Sequence, residues 1–276
     1  MGDTLNTAFF ASAMALATIP IGASAQEQVD LELILAVDAS SSVNAAEFQL
    51  QMNGISGAFR HPAVQAAIRA SGDLGIAVSL VQWADNRKQF VAVDWRHLRT
   101  EAEALSFADT IDATPRILVG GGTAIGGAIA FSLRQLARND YDGRRKVIDI
   151  SGDGRTNQGA RTESQRDLAV EEGVTINGLA ILNEDPYIDG YYLYNVIGGT
   201  GAFVMSATNY EDFSAAMLEK LVKEIAGTPI AQGPDGTLPD LQQETERSDP
   251  RQDLHQNPRQ DQAAKLATSD SAFIPN

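Results

Sequence analysis

The chain has 276 residues and a formal net charge of −15 at pH 7, and 43% of its residues are hydrophobic, so a wholly disordered or fibrous protein is excluded. With 36 acidic against 21 basic residues, nucleic-acid binding is disfavoured, because phosphate contacts need clustered Lys and Arg. The absence of Cys excludes thiol catalysis, Cys-ligated zinc, iron–sulfur clusters and disulfides, and three widely separated His disfavour His-based metal or triad chemistry.

The first predicted element is a signal peptide at residues 1–25. Residues 8–25 are mostly apolar and end in the small-x-small pattern that signal peptidase reads, although Asp3 precedes them and no Lys or Arg does. The apolar run is shorter than the ~20 residues that span a bilayer. We therefore expect cleavage before Gln26 and a periplasmic or secreted mature protein with no membrane span, and the lack of Cys is compatible with that location.

Residues 26–227 are predicted to form one α/β domain. Apolar residues at helical spacing mark one helix at Phe48, Met52, Ile55 and Phe59. Short apolar runs predict strands at 31–37, 74–82, 89–94, 147–150, 174–181 and 202–206, and further helices are predicted at 125–136, at 161–172 and from Asn209 to about Ile225, with Asn209–Asp212 supplying a cap and first-turn acids.

This alternation predicts a Rossmann-like architecture, with a mostly parallel sheet covered by helices on both faces. The run at 89–94 follows its predecessor too closely for a crossover, so we expect it to be an antiparallel strand at the sheet edge. Ligands of such sheets collect beyond the carboxyl ends of the strands. Functional residues are therefore expected at the strand ends.

The last segment, residues 228–276, differs in composition from the predicted domain. It holds six of the ten prolines, many Gln and Asp, and one aromatic residue, Phe273. Such a sequence cannot bury enough apolar surface to offset the entropy of ordering it. We predict a disordered acidic tail rich in Pro and Gln, acting as a spacer or a weak interaction segment.

Three polar motifs fall at predicted strand ends or helix starts. Asp-Ala-Ser-Ser-Ser at 38–42 follows the first strand, Gly-Gly-Gly-Thr at 120–123 opens a helix, and Ser-Gly-Asp-Gly at 151–154 follows the fourth strand. Each motif alone is compatible with an ordinary cap or turn. Together they supply side-chain oxygens suited to Mg²⁺ or Mn²⁺, and we predict a metal site formed by Asp38, Ser40, Ser42, Thr123 and Asp153.

These motifs resemble the metal-ion-dependent adhesion site (MIDAS) of von Willebrand factor A (vWA) domains. The family pattern of Asp-x-Ser-x-Ser, a Thr after glycine and an Asp before glycine matches those five residues, with Gly152 where many members have Thr. The chain is more closely similar to an exported bacterial vWA-like family of unknown function, DUF1194. That likeness spans roughly residues 29–226 and is carried by the segments 147–154, 175–179, 195–204 and 220–226.

The resemblance implies a binding module with no catalytic residues. In vWA domains the ion is held partly through water and keeps one coordination position open, so a partner's Asp or Glu can complete it. We expect Mg²⁺, with Mn²⁺ or Ca²⁺ as alternatives, and a partner protein that offers such an acid.

Two other functions stay open at this point. A divalent ion beside a carboxylate supports phosphoester hydrolysis. The motif after the first strand, however, has Ser at position 40 where the phosphatase-like Asp-x-Asp pattern needs Asp, and the P-loop ending and Gly-x-Ser-x-Gly are absent. His61, which precedes Pro62 in an expected turn, and His97 are interpreted as structural. Periplasmic small-molecule binding is the second alternative, since an aromatic platform is available from Tyr187, Tyr191, Tyr192 and Tyr194.

Overall fold

Residues 26–227 are described by a computed structural model, and the predicted signal peptide and tail lie outside them. Six strands form one sheet: β1 (Glu27–Asp38), β2 (Ile76–Trp83), β3 (Gln89–Leu98), β4 (Tyr141–Gly152), β5 (Val174–Ile181) and β6 (Val204–Ala207). The helices are α1 (Ala45–Arg60), α2 (Pro62–Ala70), α3 (Glu101–Asp112), α4 (Ile125–Leu136), α5 (Thr162–Glu171), α6 (Ile188–Tyr191) and α7 (Phe213–Ala226).

The sheet has the strand order β3-β2-β1-β4-β5-β6. All neighbouring strands are parallel except β3, which pairs antiparallel with β2 at one edge. This confirms the predicted α/β architecture and the predicted edge strand. Because β1 and β4 are neighbours in register, with Val37 opposite Ser151, the segments that follow these two strands leave the sheet side by side.

Two apolar cores fill the space between the sheet and its helices. One face of the sheet packs against α1, α2, α3 and α7, and the other packs against α4, α5 and α6. The predicted stripe of α1, Phe48, Met52, Ile55 and Phe59, is buried in the first core. No helix within residues 26–227 is long and apolar enough to cross a membrane.

The sequence interpretation was wrong at the starts of two helices. The last helix begins at Phe213 rather than Asn209: the Asn209 side chain accepts a hydrogen bond from the Asp212 amide (2.9 Å), which closes a turn before the helix. The expected turn at His61 is instead the start of α2, where His61 Nδ1 caps the amide of Ala63 at 3.2 Å. Pro62 suits this position because the first helical residue needs no amide donor.

Candidate metal site

The five predicted ligands lie together at the carboxyl ends of β1 and β4. Asp38 ends β1, Ser40 and Ser42 lie in the loop after it, Thr123 precedes α4, and Asp153 follows β4. Asp38 and Asp153 are fully buried, Ser40 and Thr123 are 1% and 6% exposed, and Ser42 is half-buried. The fold therefore gathers oxygen-bearing side chains from three separate chain segments beneath the surface.

Hydrogen bonds connect four of these residues. The amide of Ser40 donates to Asp38 Oδ1 at 2.7 Å, and the hydroxyls of Ser40 and Ser42 lie 3.1 Å apart. The Ser42 hydroxyl donates to Asp153 Oδ1 at 2.8 Å. The loop after β1 is thereby joined to the loop after β4 through side chains alone.

Thr123, the fifth residue, is placed by its backbone. The Thr123 amide donates to Asn157 Oδ1 at 3.0 Å, and the Asn157 amide donates to the Thr123 carbonyl at 2.9 Å. The Thr123 hydroxyl faces Gly154, 3.4 Å from where a Cβ on that glycine would lie. Asn157 was not identified from the sequence, because an Asn in a loop carries no signal that separates it from an ordinary turn residue.

The segment that carries Asn157 packs tightly against α4. A Cβ on Gly126 would lie 2.4 Å from the Ala160 carbonyl oxygen, whereas a Cβ on Gly127 would first meet the end of the Gln89 side chain, at 3.2 Å. We expect Gly126→Ala to lower the free energy of unfolding by about 1–3 kcal/mol through overpacking. Gly127→Ala is the control and is expected to raise it by up to about 1 kcal/mol, since Gly is a poor helix former. Urea unfolding measures both, and equal effects would contradict the contact.

The glycine-rich loop is tied to the loop after β1. The amide and hydroxyl of Ser41 both donate to the Gly121 carbonyl, at 3.1 and 2.7 Å. Gly121 has a φ of +115°, and a Cβ there would lie 2.6 Å from Asp85 Oδ2. A glycine is thus needed at this position for the loop to reach the site.

The ionisation of Asp38 is shifted by its surroundings. Burial, followed by the nearby Asp153 carboxylate, raises the pKa of Asp38 to about 7, against opposing effects of the Ser40 hydrogen bonds and the Arg116 guanidinium. Arg116 itself is held by the carbonyls of Ala39 and Ser40 at 2.9 and 3.0 Å. Among residues 26–227, Asp38 Oδ2 has no hydrogen-bond partner. One carboxyl oxygen of Asp38 is therefore buried without a partner, close to a second buried acid.

Tyr210 supports the second acid. Its buried hydroxyl donates to Asp153 Oδ2 at 2.9 Å. Burial, with the adjacent Asp153, raises the pKa of Tyr210 above its usual range, so the hydroxyl stays a donor. No sequence pattern connects Tyr210 with Asp153, because the two residues are 57 positions apart and meet only in the folded domain.

The residues fit a hard divalent cation. All five offer oxygen, which suits Mg²⁺, Mn²⁺ or Ca²⁺. Oxygens bound to one Mg²⁺ at ~2.0–2.1 Å in octahedral geometry stand about 3 Å apart, close to the 3.1 and 2.8 Å separations along Ser40, Ser42 and Asp153. Within the described part of the chain, no group of three or more His, Cys, Asp or Glu could hold an ion, so a site here depends on the hydroxyls.

The predicted tyrosine platform is not formed as one surface. Tyr192 is fully buried, whereas Tyr187 and Tyr194 are 75% and 76% exposed. A cavity of about 500 Å³ lies at the opposite end of the sheet, beside the start of β5 and the end of α7, with Thr175 and Asn177 in its lining. None of the four tyrosines lines this cavity.

A family described as "Protein of unknown function (DUF1194)" matches residues 28–229, which is most of the chain. The chain belongs to DUF1194. No curated protein matches this DUF1194 chain.

Solved structures share the fold of this DUF1194 domain. Proximal thread matrix protein 1 from the mussel byssus has a TM-score of 0.55 and 21% identity, over 73% of this chain and 47% of that one. A structure of the same byssus protein "with zinc occupied MIDAS motif" has a TM-score of 0.50 and 22% identity, over 72% and 46%. The vWF domain of the type V pili tip protein Mfa5 from Porphyromonas gingivalis has a TM-score of 0.50 and 13% identity, over 75% and 99%.

These likenesses show that the DUF1194 domain has a vWA-like fold. At such low identity they show the fold alone. The chain also spans about half of the length of the byssus protein.

Proposed function

We propose that the domain is a divalent-metal-dependent protein-binding module. The observation that carries this proposal is the hydrogen-bonded set that runs from the buried Asp38 through Ser40 and the half-buried Ser42 to the buried Asp153. A hard cation would stabilise two buried acids that lie beside hydroxyls at ligand spacing. Asp38, Ser40, Ser42, Thr123 and Asp153 would hold it.

The chemistry of the donor set defines the partner. Three of the five donors are neutral hydroxyls, so a bound divalent ion would keep net positive character and attract a further acidic oxygen. A partner protein with an exposed Asp or Glu would supply that oxygen. We propose Mg²⁺ as the resident ion, with Mn²⁺ or Ca²⁺ as alternatives; the zinc-occupied MIDAS of the byssus protein supports a divalent ion in general.

We further propose that the protein acts outside the cytoplasm. The support is the apolar, small-x-small segment at residues 1–25. A module exported in this way would meet its partner in the periplasm or at the cell exterior. Export is tested by the N-terminal sequence of the mature protein, which we expect to begin at Gln26.

Metal binding is tested by thermal melts of the purified protein in EDTA, Mg²⁺, Mn²⁺ and Ca²⁺. An ion that binds only the native state stabilises it by about 2.7 kcal/mol at 100 times its Kd, which raises the Tm of a domain of this size by about 5–10 °C. We expect this rise in the wild type and in Asp167→Ala, an exposed control. Asp38→Ala and Asp153→Ala should lose it.

Two outcomes would contradict the metal site. One is a wild-type Tm that no ion changes, and the other is an undiminished rise in both variants of the buried acids. Dependence of binding on the ion is tested separately, by capture of partners from the extracytoplasmic fraction in Mg²⁺ and in EDTA. A verified partner that binds equally in EDTA would leave the site without its proposed role.

A further inference from the structure

Two buried polar atoms next to the candidate metal site lack a partner. Among residues 26–227, neither Asp38 Oδ2 nor the Tyr192 hydroxyl makes a hydrogen bond, and both side chains are fully buried. A buried polar group without a partner is costly, so such groups are nearly always paired in native proteins. A carboxylate oxygen can only accept and a phenol hydroxyl can donate, so the two atoms are chemically complementary.

The two atoms also face the same point in space. A Cβ placed on Gly152 would lie 2.8 Å from Asp38 Oδ2 and 3.0 Å from the Tyr192 hydroxyl. Gly152 ends β4, one residue before Asp153. Only a glycine at this position lets the carboxylate and the hydroxyl approach the strand so closely from two sides.

We propose that Tyr192 is a positioning residue of the metal site, whose hydroxyl hydrogen-bonds to Asp38 Oδ2, directly or through one water, beside Gly152. This inference rests on the proposed function, because its consequence is an Asp38 carboxylate held ready for an ion. Tyr210 already donates to Asp153 Oδ2. Each acid of the site would then be oriented by one buried tyrosine.

The position of Tyr192 in the fold suits this role. It follows α6 and begins a single π-helical turn, Tyr192–Val196, and it belongs to the apolar core on the face of the sheet that α4, α5 and α6 cover. Its Cδ1 would lie 2.6 Å from a Cβ on Gly178 in β5, so the ring approaches the sheet closely. A ring fixed in this way places its hydroxyl with little freedom.

The test compares two single hydroxyl deletions in adjacent tyrosines. Tyr192→Phe removes the hydroxyl beside Asp38, whereas Tyr191→Phe removes one that lies 3.3 Å from Thr162 Oγ1. Calorimetric titration of the full chain with Mn²⁺ is expected to show roughly 10-fold weaker binding for Tyr192→Phe. Tyr191→Phe should bind as the wild type does.

A second variant keeps the Tyr192 hydroxyl and adds a side-chain atom between it and Asp38. Gly152→Ala puts a methyl group on the shared point and is expected to weaken Mn²⁺ binding to a similar extent. The Mn²⁺ affinity of the double variant should fall by less than the product of the two single fold-losses, because both changes remove the same interaction. Unfolding by urea in EDTA reports separately on stability without metal.

The outcomes distinguish this inference from the proposed function. A wild type that does not bind Mn²⁺ would overturn both. Normal Mn²⁺ binding by Tyr192→Phe, with the wild type binding, would overturn the role of Tyr192 alone. If Tyr192→Phe is also less stable in EDTA, the Mn²⁺ affinity of the double variant decides. A fold-loss of affinity equal to the product of the two single fold-losses would show a merely structural tyrosine. A smaller fold-loss would support the hydrogen bond.

Discussion

Replacing Lys220 by Met is expected to lower the free energy of unfolding by about 3–5 kcal/mol, because it leaves two buried acids without their cation. Lys220 lies on α7 and is fully buried. Its Nζ is 2.6 Å from Asp149 Oδ1 on β4, and it also forms an ion pair with Glu224. Met keeps most of the side-chain volume, so the loss reports on charge rather than on a cavity.

Lys223→Met is the matched control for this change. Lys223 lies on the same helix but is half-exposed, with its Nζ 3.8 Å from the centre of the Phe203 ring. Lys223→Met should lower the free energy of unfolding by no more than about 1 kcal/mol, the usual contribution of an exposed cation–π contact. Urea unfolding at pH 7 measures both variants, and similar small losses would show that the buried ion pairs contribute little.

The stability of the metal-free protein is expected to fall as the pH rises from about 4 to 7. Burial, followed by the nearby Glu224 carboxylate, raises the pKa of Asp149 from 3.8 to about 7, against the opposing effect of Lys220. The folded state therefore binds more protons than the unfolded chain in this range, and stability decreases with pH. Each unit of such a shift corresponds to about 1.4 kcal/mol, so the change should be large.

Asp149→Asn is expected to flatten this dependence. The variant leaves one Lys and one Glu as a neutral pair, and the Asn side chain does not titrate. Urea unfolding in EDTA at pH 5 and pH 8 measures the slope, with the exposed Asp73→Asn as the control. Some slope should remain, because burial also raises the pKa of Asp38 to about 7. An unchanged slope in Asp149→Asn would show that this buried acid does not titrate in the range.

Elements with strong local periodicity were predictable from the sequence. The strand predicted at 174–181 has the bounds of β5, and the helix predicted at 125–136 has those of α4. In both, an uninterrupted run or stripe of apolar residues is buried. The sequence also predicted the antiparallel edge strand β3, since a short connection excludes a crossover.

Other elements left weak local signals. β4 extends from Tyr141, well before the predicted start, because its first half is charged and partly exposed yet still pairs with β1. The helix α3 was not predicted. Its buried stripe includes two alanines, Ala104 and Ala108, which contribute little to an apolar pattern. Pairing between strands and packing between helices stabilise such segments, and neither is visible in a local window.

The candidate ligands could be named from the sequence because the three motifs combine oxygen-bearing side chains with glycines at strand ends and helix starts. The residues that support these ligands could not be named from the sequence. Asn157, Tyr192 and Tyr210 reach the site from a loop, a π-helical turn and the turn before α7. No spacing relates any of them to the motif that it contacts.

The sequence by itself determined the alternation of strands and helices and the chemical type of each candidate ligand. Only the tertiary structure decided which of these residues meet. The order of strands in the sheet places β1 beside β4, so that Asp38 and Asp153 share one buried space with two tyrosines. The periodicity of a segment indicates which of its side chains are buried. Which distant residues those side chains contact depends on the packing of the whole domain.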